Sequence, residues 1–159
     1  MLAAVRVSYF QALIEKLIFL PNPMPIVGTE WLIEAAGCDA EVLRDAEALR
    51  RVFARAVAEL RLRTVGEALW HKFPGAGGVT GLVLLSESHL ACHTYPEYGV
   101  ATFNLYCCRE RPAWAWEERL REMLGATRVS VRSVARPAPV APPPPAETSP
   151  YLALREGEA

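Results

Sequence analysis

The nine residues "VATFNLYCC", positions 100–108, restrict the fold more than any other stretch of the chain. Side chains along a strand point alternately to opposite faces. Phe103, Leu105 and Cys107 therefore share one face, and Thr102, Asn104, Tyr106 and Cys108 share the other. The first face suits a hydrophobic core and the second suits chemistry. Neighbouring segments extend this pattern into a sheet. "VGTEWLIEAAGC" reads as an early strand closing in a turn, and "TVGEALWHKF" and "GVTGLVLLSES" as two strands separated by the glycine-rich "PGAGG". "HLACHTYP" continues the sheet, and "TRVSVRSV" supplies a last strand by alternation.

A sheet with one apolar face needs a cover, and two helical patterns provide it. Asp39 is placed to cap a long helix in which Val42, Ala46, Leu49, Phe53, Ala56 and Leu60 recur at three- and four-residue steps, with Arg44, Arg51, Arg55 and Glu59 on other faces. Pro112 and Gly125 bracket "PAWAWEERLREMLG", whose buried face is Trp116, Leu120 and Met123. The expected fold is α+β: a two-layer sandwich, a mainly antiparallel sheet with two helices on one face. At 159 residues, 52% of them apolar, the chain can fill one substantial core, whereas two halves would each be marginal. The expected organisation is an N-terminal extension over residues 1–26, one domain over 27–136 and a Pro-rich disordered tail over 137–159. From Arg136 onward the chain holds seven of its thirteen prolines and no periodicity. Phe10, Leu13, Leu17 and Leu20 can form a helical stripe in the extension, and translation starting at Met24 is the alternative.

The 17 basic and 18 acidic residues nearly cancel, so no net field favours nucleic acid or an anionic membrane. Arg6, Glu15 and Lys16 interrupt the apolar start well short of a membrane span. A small-molecule substrate or a protein partner is expected. Cys38, Cys92, Cys107 and Cys108 show no CxxC spacing, which points to a reduced, cytoplasmic protein. His89, Cys92 and Cys107 match no zinc pattern; they are taken as packing or backbone-facing groups, and no metal site is expected. His71 and the tryptophans are assigned to the core or an interface.

The segment "LLSESHLACHTYPEYG" gathers serines, histidines, a cysteine and glutamates beside an apolar strand. If the polar face of "VATFNLYCC" lines a cavity with it, Cys108 can approach His93, a pairing that tunes thiol reactivity and proton transfer. "GVTGLVLLSESHLACHTYPEYG", followed by a cysteine fifteen residues after His93, resembles the prokaryotic S-adenosylmethionine decarboxylase proenzymes. The likeness extends to "GTEWLIEAAGC" and "HKFPGAGGVTG". It implies self-cleavage between Glu87 and Ser88. The Ser88 hydroxyl attacks the Glu87 carbonyl to give an ester, and β-elimination and hydrolysis then leave a pyruvoyl cofactor in place of Ser88. The resemblance assigns Thr80 and His93 to processing and Cys108 to donating the proton in catalysis. It assigns Glu97 to the substrate's ribose hydroxyls and Phe73 to stacking on adenine. The pyruvoyl forms a Schiff base with S-adenosylmethionine and acts as the electron sink for loss of carbon dioxide, yielding the aminopropyl donor of spermidine synthesis. A homodimer of cleaved protomers sharing the active-site environment is also implied.

Four features depart from the commonest pattern of that family. Thr80 replaces a serine but keeps the hydroxyl, and the glycine-rich turn before it is one residue longer. Asn104 stands where aspartate is usual, and Arg109 follows Cys108 in place of glycine. Because the loss of a carboxylate can change substrate choice, ornithine or arginine decarboxylation is the alternative. A non-catalytic binding paralogue is a third reading, against which the joint presence of Glu87, Ser88, His93 and Cys108 counts.

Overall fold

The structure, a computed structural model, describes residues 25–138. The N-terminal stripe and most of the proline-rich tail lie outside these residues. Six strands form one sheet in the order β2-β3-β4-β5-β1-β6. They are β1 (Ile26–Ala36), β2 (Leu69–Lys72), β3 (Val79–Leu85), β4 (Ser88–Tyr95), β5 (Val100–Cys107) and β6 (Arg128–Pro137). Every pairing is antiparallel. Helices α1 (Ala40–Arg44) and α2 (Ala46–Glu59) connect β1 to β2, and α3 (Trp116–Leu124) connects β5 to β6.

Alternation decides which face is covered. Ile33 of β1, Val83 of β3, Leu90 of β4 and Phe103 and Leu105 of β5 are buried in one cluster with Leu49, Val52 and Phe53 of α2 and Leu120 and Leu124 of α3. All three helices therefore pack on a single face, and the α+β sandwich expected from the sequence is what forms. Close packing fixes details of this layer. Gly81 lies under Trp70, whose ring atoms would sit 2.3–2.7 Å from any added Cβ, and Trp70 in turn stacks on Phe53 with ring centroids 4.8 Å apart.

The single long first helix expected from residues 42–60 is instead broken. Asp45 adopts an extended backbone (φ −89°, ψ 104°), and its carboxylate accepts a hydrogen bond from the Glu47 N–H, so it caps a second helix just as Asp39 caps the short first one. The break rotates Leu43 into the core and leaves Val42 only partly buried. The last helix starts at Trp116 and not near Pro112, because the Trp114 indole is held outside the helix by Glu59 at 2.6 Å. Gly125 ends it in the left-handed conformation (φ 69°), as expected. β1 and β6 pair from Ile26 to Pro137, one residue beyond each expected domain boundary. Among the described residues no helix is long and apolar enough to cross a membrane.

Glu59 joins the two long helices. Its carboxylate accepts from Arg55 at 2.9 Å, Trp114 at 2.6 Å and Arg119 at 3.2 Å. The hydrogen bond from Arg55, followed by that from Trp114, holds its pKa down at about 2. A carboxyl with a depressed folded-state pKa contributes stability above its unfolded value and loses it as pH falls toward the folded one. Stability measured by urea denaturation should therefore decline between about pH 4.5 and 2, and Glu59→Gln should flatten that decline while lowering stability at pH 7.

Candidate active site

β3 and β4 are joined by a two-residue turn, Ser86 and Glu87, with Leu85 paired to Ser88. Ser88 has φ 150°, a region that side-chain-bearing residues rarely adopt, so the Glu87–Ser88 peptide is held in a strained conformation. Neighbouring groups hold it there. Ser88 pairs with Cys107 on β5, and the Cys108 N–H donates to the Glu87 carbonyl oxygen at 3.0 Å. The Glu87 side chain accepts a forked pair from Arg111 at 2.5–3.1 Å. Those hydrogen bonds keep its carboxyl below the usual range. Arg61, Arg63, Arg109 and Arg111 line a cavity of about 350 Å³ around it.

The thiols divide as alternation requires. Cys107 is fully buried among core side chains, and burial raises its pKa, while Cys108 lies just past the end of β5 and is exposed. On the uncovered face of the sheet His89 projects beside Ser88, its Nδ1 3.3 Å from Ser88 Oγ. His89 Nε2 lies 3.0 Å from Asn104 Oδ1, and Asn104 Nδ2 donates to Glu30 at 2.7 Å. His89, expected as a packing or backbone-facing group, instead contacts the Ser88 hydroxyl and the Asn104 amide. The contact to Ser88 was legible only in the adjacency of the two residues.

Thr80 and His93 meet at the other end of the same strands. They are directly opposed on β3 and β4 and are joined by a hydrogen bond between Thr80 Oγ1 and His93 Nδ1. Phe73 meets the His93 ring edge-on at 5.5 Å, and Tyr95 packs against it at 4.7 Å. Glu97, in the short turn Pro96–Tyr98, shares with Phe73 and His93 a cavity of about 230 Å³. Thr80, His93, Phe73 and Glu97 thus form one group, and Ser88, Cys108 and Glu87 form another.

The expected approach of Cys108 to His93 does not occur within the protomer. His93 pairs with Thr102, whereas Cys107 pairs with Ser88. Five residues of extended chain separate Ser88 from His93, about 17 Å. Between the groups the open face presents Leu32, Ala91 and Thr102 around a shallow cavity of about 400 Å³, with Leu82 and Leu84 exposed beside it. Among the described residues no three His, Cys, Asp or Glu side chains cluster as a metal site.

Residues 29–137 match the family model described as S-adenosylmethionine decarboxylase. The S-adenosylmethionine decarboxylase proenzyme of Pyrococcus abyssi is 38% identical over 88 residues, which are 55% of this chain and 62% of the relative. The chain thus spans a little under two thirds of that relative's length. The proenzyme of Caldicellulosiruptor saccharolyticus is 36% identical over 118 residues, 71% of this chain and 90% of the relative. The crystal structure of the adenosylmethionine decarboxylase of Aquifex aeolicus superimposes with a TM-score of 0.62 at 28% identity, covering 74% of this chain and 96% of that one.

The split between the thiols is directly measurable. Iodoacetamide at pH 8 should modify Cys108 in the native protein and spare Cys38, Cys92 and Cys107, which are buried; burial pushes Cys92 up to about 12. Peptide mass spectrometry should find all four modified after unfolding. Native-state modification of Cys107 in place of Cys108 would show that the end of β5 is out of register.

Proposed function

The chain belongs to the S-adenosylmethionine decarboxylase family, and from that premise we propose that it is a self-processing decarboxylase of S-adenosylmethionine whose pyruvoyl group arises from Ser88. The observation that carries the reading is the Glu87–Ser88 peptide itself. It lies at a hairpin tip with Ser88 at φ 150° and its carbonyl oxygen held by the Cys108 N–H.

Ordinary amides resist attack by a serine hydroxyl, and two features here lower that resistance. Backbone strain raises the energy of the starting peptide, by roughly 1–3 kcal/mol for a residue in such a region. The Cys108 N–H sits where negative charge develops on the Glu87 oxygen as Ser88 Oγ adds to the carbonyl carbon. Transfer of the acyl group to oxygen frees the Ser88 amine and leaves Glu87 as an ester. Loss of the Ser88 Cα proton expels Glu87 as a carboxylate, and hydrolysis of the remaining dehydroalanine releases ammonia and leaves the new N-terminal pyruvoyl. That group supplies a conjugated carbonyl as electron sink when carbon dioxide departs. Cys108 delivers a proton to the substrate carbon from Sγ on this reading, which its position one residue past the strand end that pairs with Ser88 supports. Glu97 and Phe73 offer a carboxylate for ribose hydroxyls and an aromatic face for adenine.

Because Thr80, His93, Phe73 and Glu97 lie about 17 Å along the sheet from Ser88, we infer that a complete site takes one group from each of two copies. The uncovered sheet face is the surface for that pairing. It carries both groups together with Leu82 and Leu84, which are 42% and 56% exposed. On this reading the domain over 27–136 carries the activity, the flanking segments are appendages, and the four free thiols suit a cytoplasmic setting.

Intact-mass spectrometry of the purified protein should find fragments 1–87 and 88–159, the second bearing a terminal pyruvoyl, and Ser88→Ala should remain whole. Cys108→Ala should still cleave yet lose roughly 10²–10⁴-fold in release of labelled carbon dioxide from S-adenosylmethionine. Cys107→Ala should lose stability and keep turnover. Ornithine and arginine should release none. A wild-type chain that stays at full length would overturn the proposal.

A further inference from the structure

A line of polar side chains crosses four adjacent strands on the open face and ends at the Ser88 hydroxyl. Arg136 on β6 pairs with Glu30 on β1 at 3.2 Å, and Asn104 Nδ2 on β5 donates to the other Glu30 oxygen at 2.7 Å. Asn104 Oδ1 meets His89 Nε2 on β4 at 3.0 Å, and His89 Nδ1 lies 3.3 Å from Ser88 Oγ. The proton positions along this line follow from the one group that cannot donate. An ionised carboxylate only accepts, so Glu30 must face the amide nitrogen of Asn104. The amide oxygen is thereby turned to His89, and an oxygen accepts only from a protonated Nε2. In the neutral imidazole the lone pair then resides on Nδ1, facing the Ser88 hydroxyl.

We propose that His89 is the general base of the first processing step, with Asn104, Glu30 and Arg136 as positioning residues that fix its tautomer. The proposal rests on the self-cleavage reading and assigns a residue to one step within it. As Ser88 Oγ forms its bond to the Glu87 carbonyl carbon, its proton passes to His89 Nδ1. When the carbon–nitrogen bond breaks, that proton passes to the departing Ser88 nitrogen, leaving a free amine, an ester and a neutral imidazole. His93 is too far along the strand for this role within the same protomer, and the Thr80 hydroxyl already occupies its Nδ1. The two histidines of the hairpin strand therefore divide: His89 serves the acyl shift on its own chain.

The test follows cleavage of freshly synthesised full-length protein by intact mass, with hydroxylamine added to cut any ester at Glu87. His89→Ala should slow cleavage by at least about 100-fold. It should accumulate no hydroxylamine-sensitive ester and should regain part of the rate with added imidazole. Asn104→Asp, whose carboxylate still accepts from Nε2 but no longer donates to Glu30, should cleave faster than Asn104→Leu, which can do neither. Native-rate cleavage of His89→Ala would overturn the assignment, and so would ester build-up in that variant, which would place the defect at a later step. Slow cleavage without imidazole rescue, in a protein with native near-ultraviolet circular dichroism, would reduce His89 to a packing role. A wild-type chain that never cleaves would instead remove the self-processing reading, and this assignment with it.

Discussion

The pairing of β4 with β5 is the interaction on which the candidate site depends. In this register Ser88 is opposite Cys107 and Ala91 is opposite Asn104, which brings the Cys108 N–H to the Glu87 carbonyl and the Asn104 amide to His89. The register is fixed from the covered face. Leu90 and Cys92 of β4 and Phe103 and Leu105 of β5 are all nearly fully buried against the helices. A slip of one residue would move this apolar set to the open face and bring the polar set into the core. The hydrophobic layer therefore determines which polar atoms meet on the opposite side of the same strands.

The open face has a different balance of forces. Its charges are paired across strands, Glu34 with Arg132 and Glu30 with Arg136, at sites exposed enough that such pairs contribute little to stability. Here their effect is on orientation. The Glu30 carboxylate decides which way an amide points, and the amide decides which imidazole nitrogen carries a proton. Leu82 and Leu84 on β3 interrupt this polar lattice with exposed apolar surface.

Much of this architecture was legible because alternation and helical periodicity are local. "VATFNLYCC" sorted Cys107 from Cys108 correctly, and Asp39 and Gly125 marked helix ends by their capping chemistry. What stayed hidden was position along a strand. Alternation assigns a face but no height, so Cys108 and His93 looked like neighbours although partners in an antiparallel pair run in opposite directions from their turn. With the turn at Pro96–Tyr98, a residue close to it, such as His93, must meet one equally close, Thr102, while Cys108 falls at the far end. The break at Asp45 was hidden for another reason. The apolar stripe continues through it, and only the capping capacity of an aspartate followed by a glutamate marked the second start. Trp114 delayed the last helix through a contact with Glu59, far away in sequence, which no local pattern records.

Under the proposed self-cleavage, the sheet order would keep the cut chain folded. β1, β2 and β3 precede the Glu87–Ser88 bond, and β4, β5 and β6 follow it, yet β1 is inserted between β5 and β6. The two products of cleavage would therefore interleave along three seams: β3 with β4, β5 with β1, and β1 with β6. The β1 seams extend over nearly the whole strand and bury Trp31, Ile33 and Ala35 in the common core. Breaking the Glu87–Ser88 peptide at the tip of the β3–β4 hairpin would relieve the strain at Ser88 and would remove none of these contacts. A hairpin held only by its own two strands would gain freedom to open once cut. This one is clamped on the far side of β4 by β5, which is itself clamped by β1 from the other fragment. On the proposed reading, the topology sets the strained bond where its loss would leave the fold intact and the new end would lie beside the Cys108 N–H.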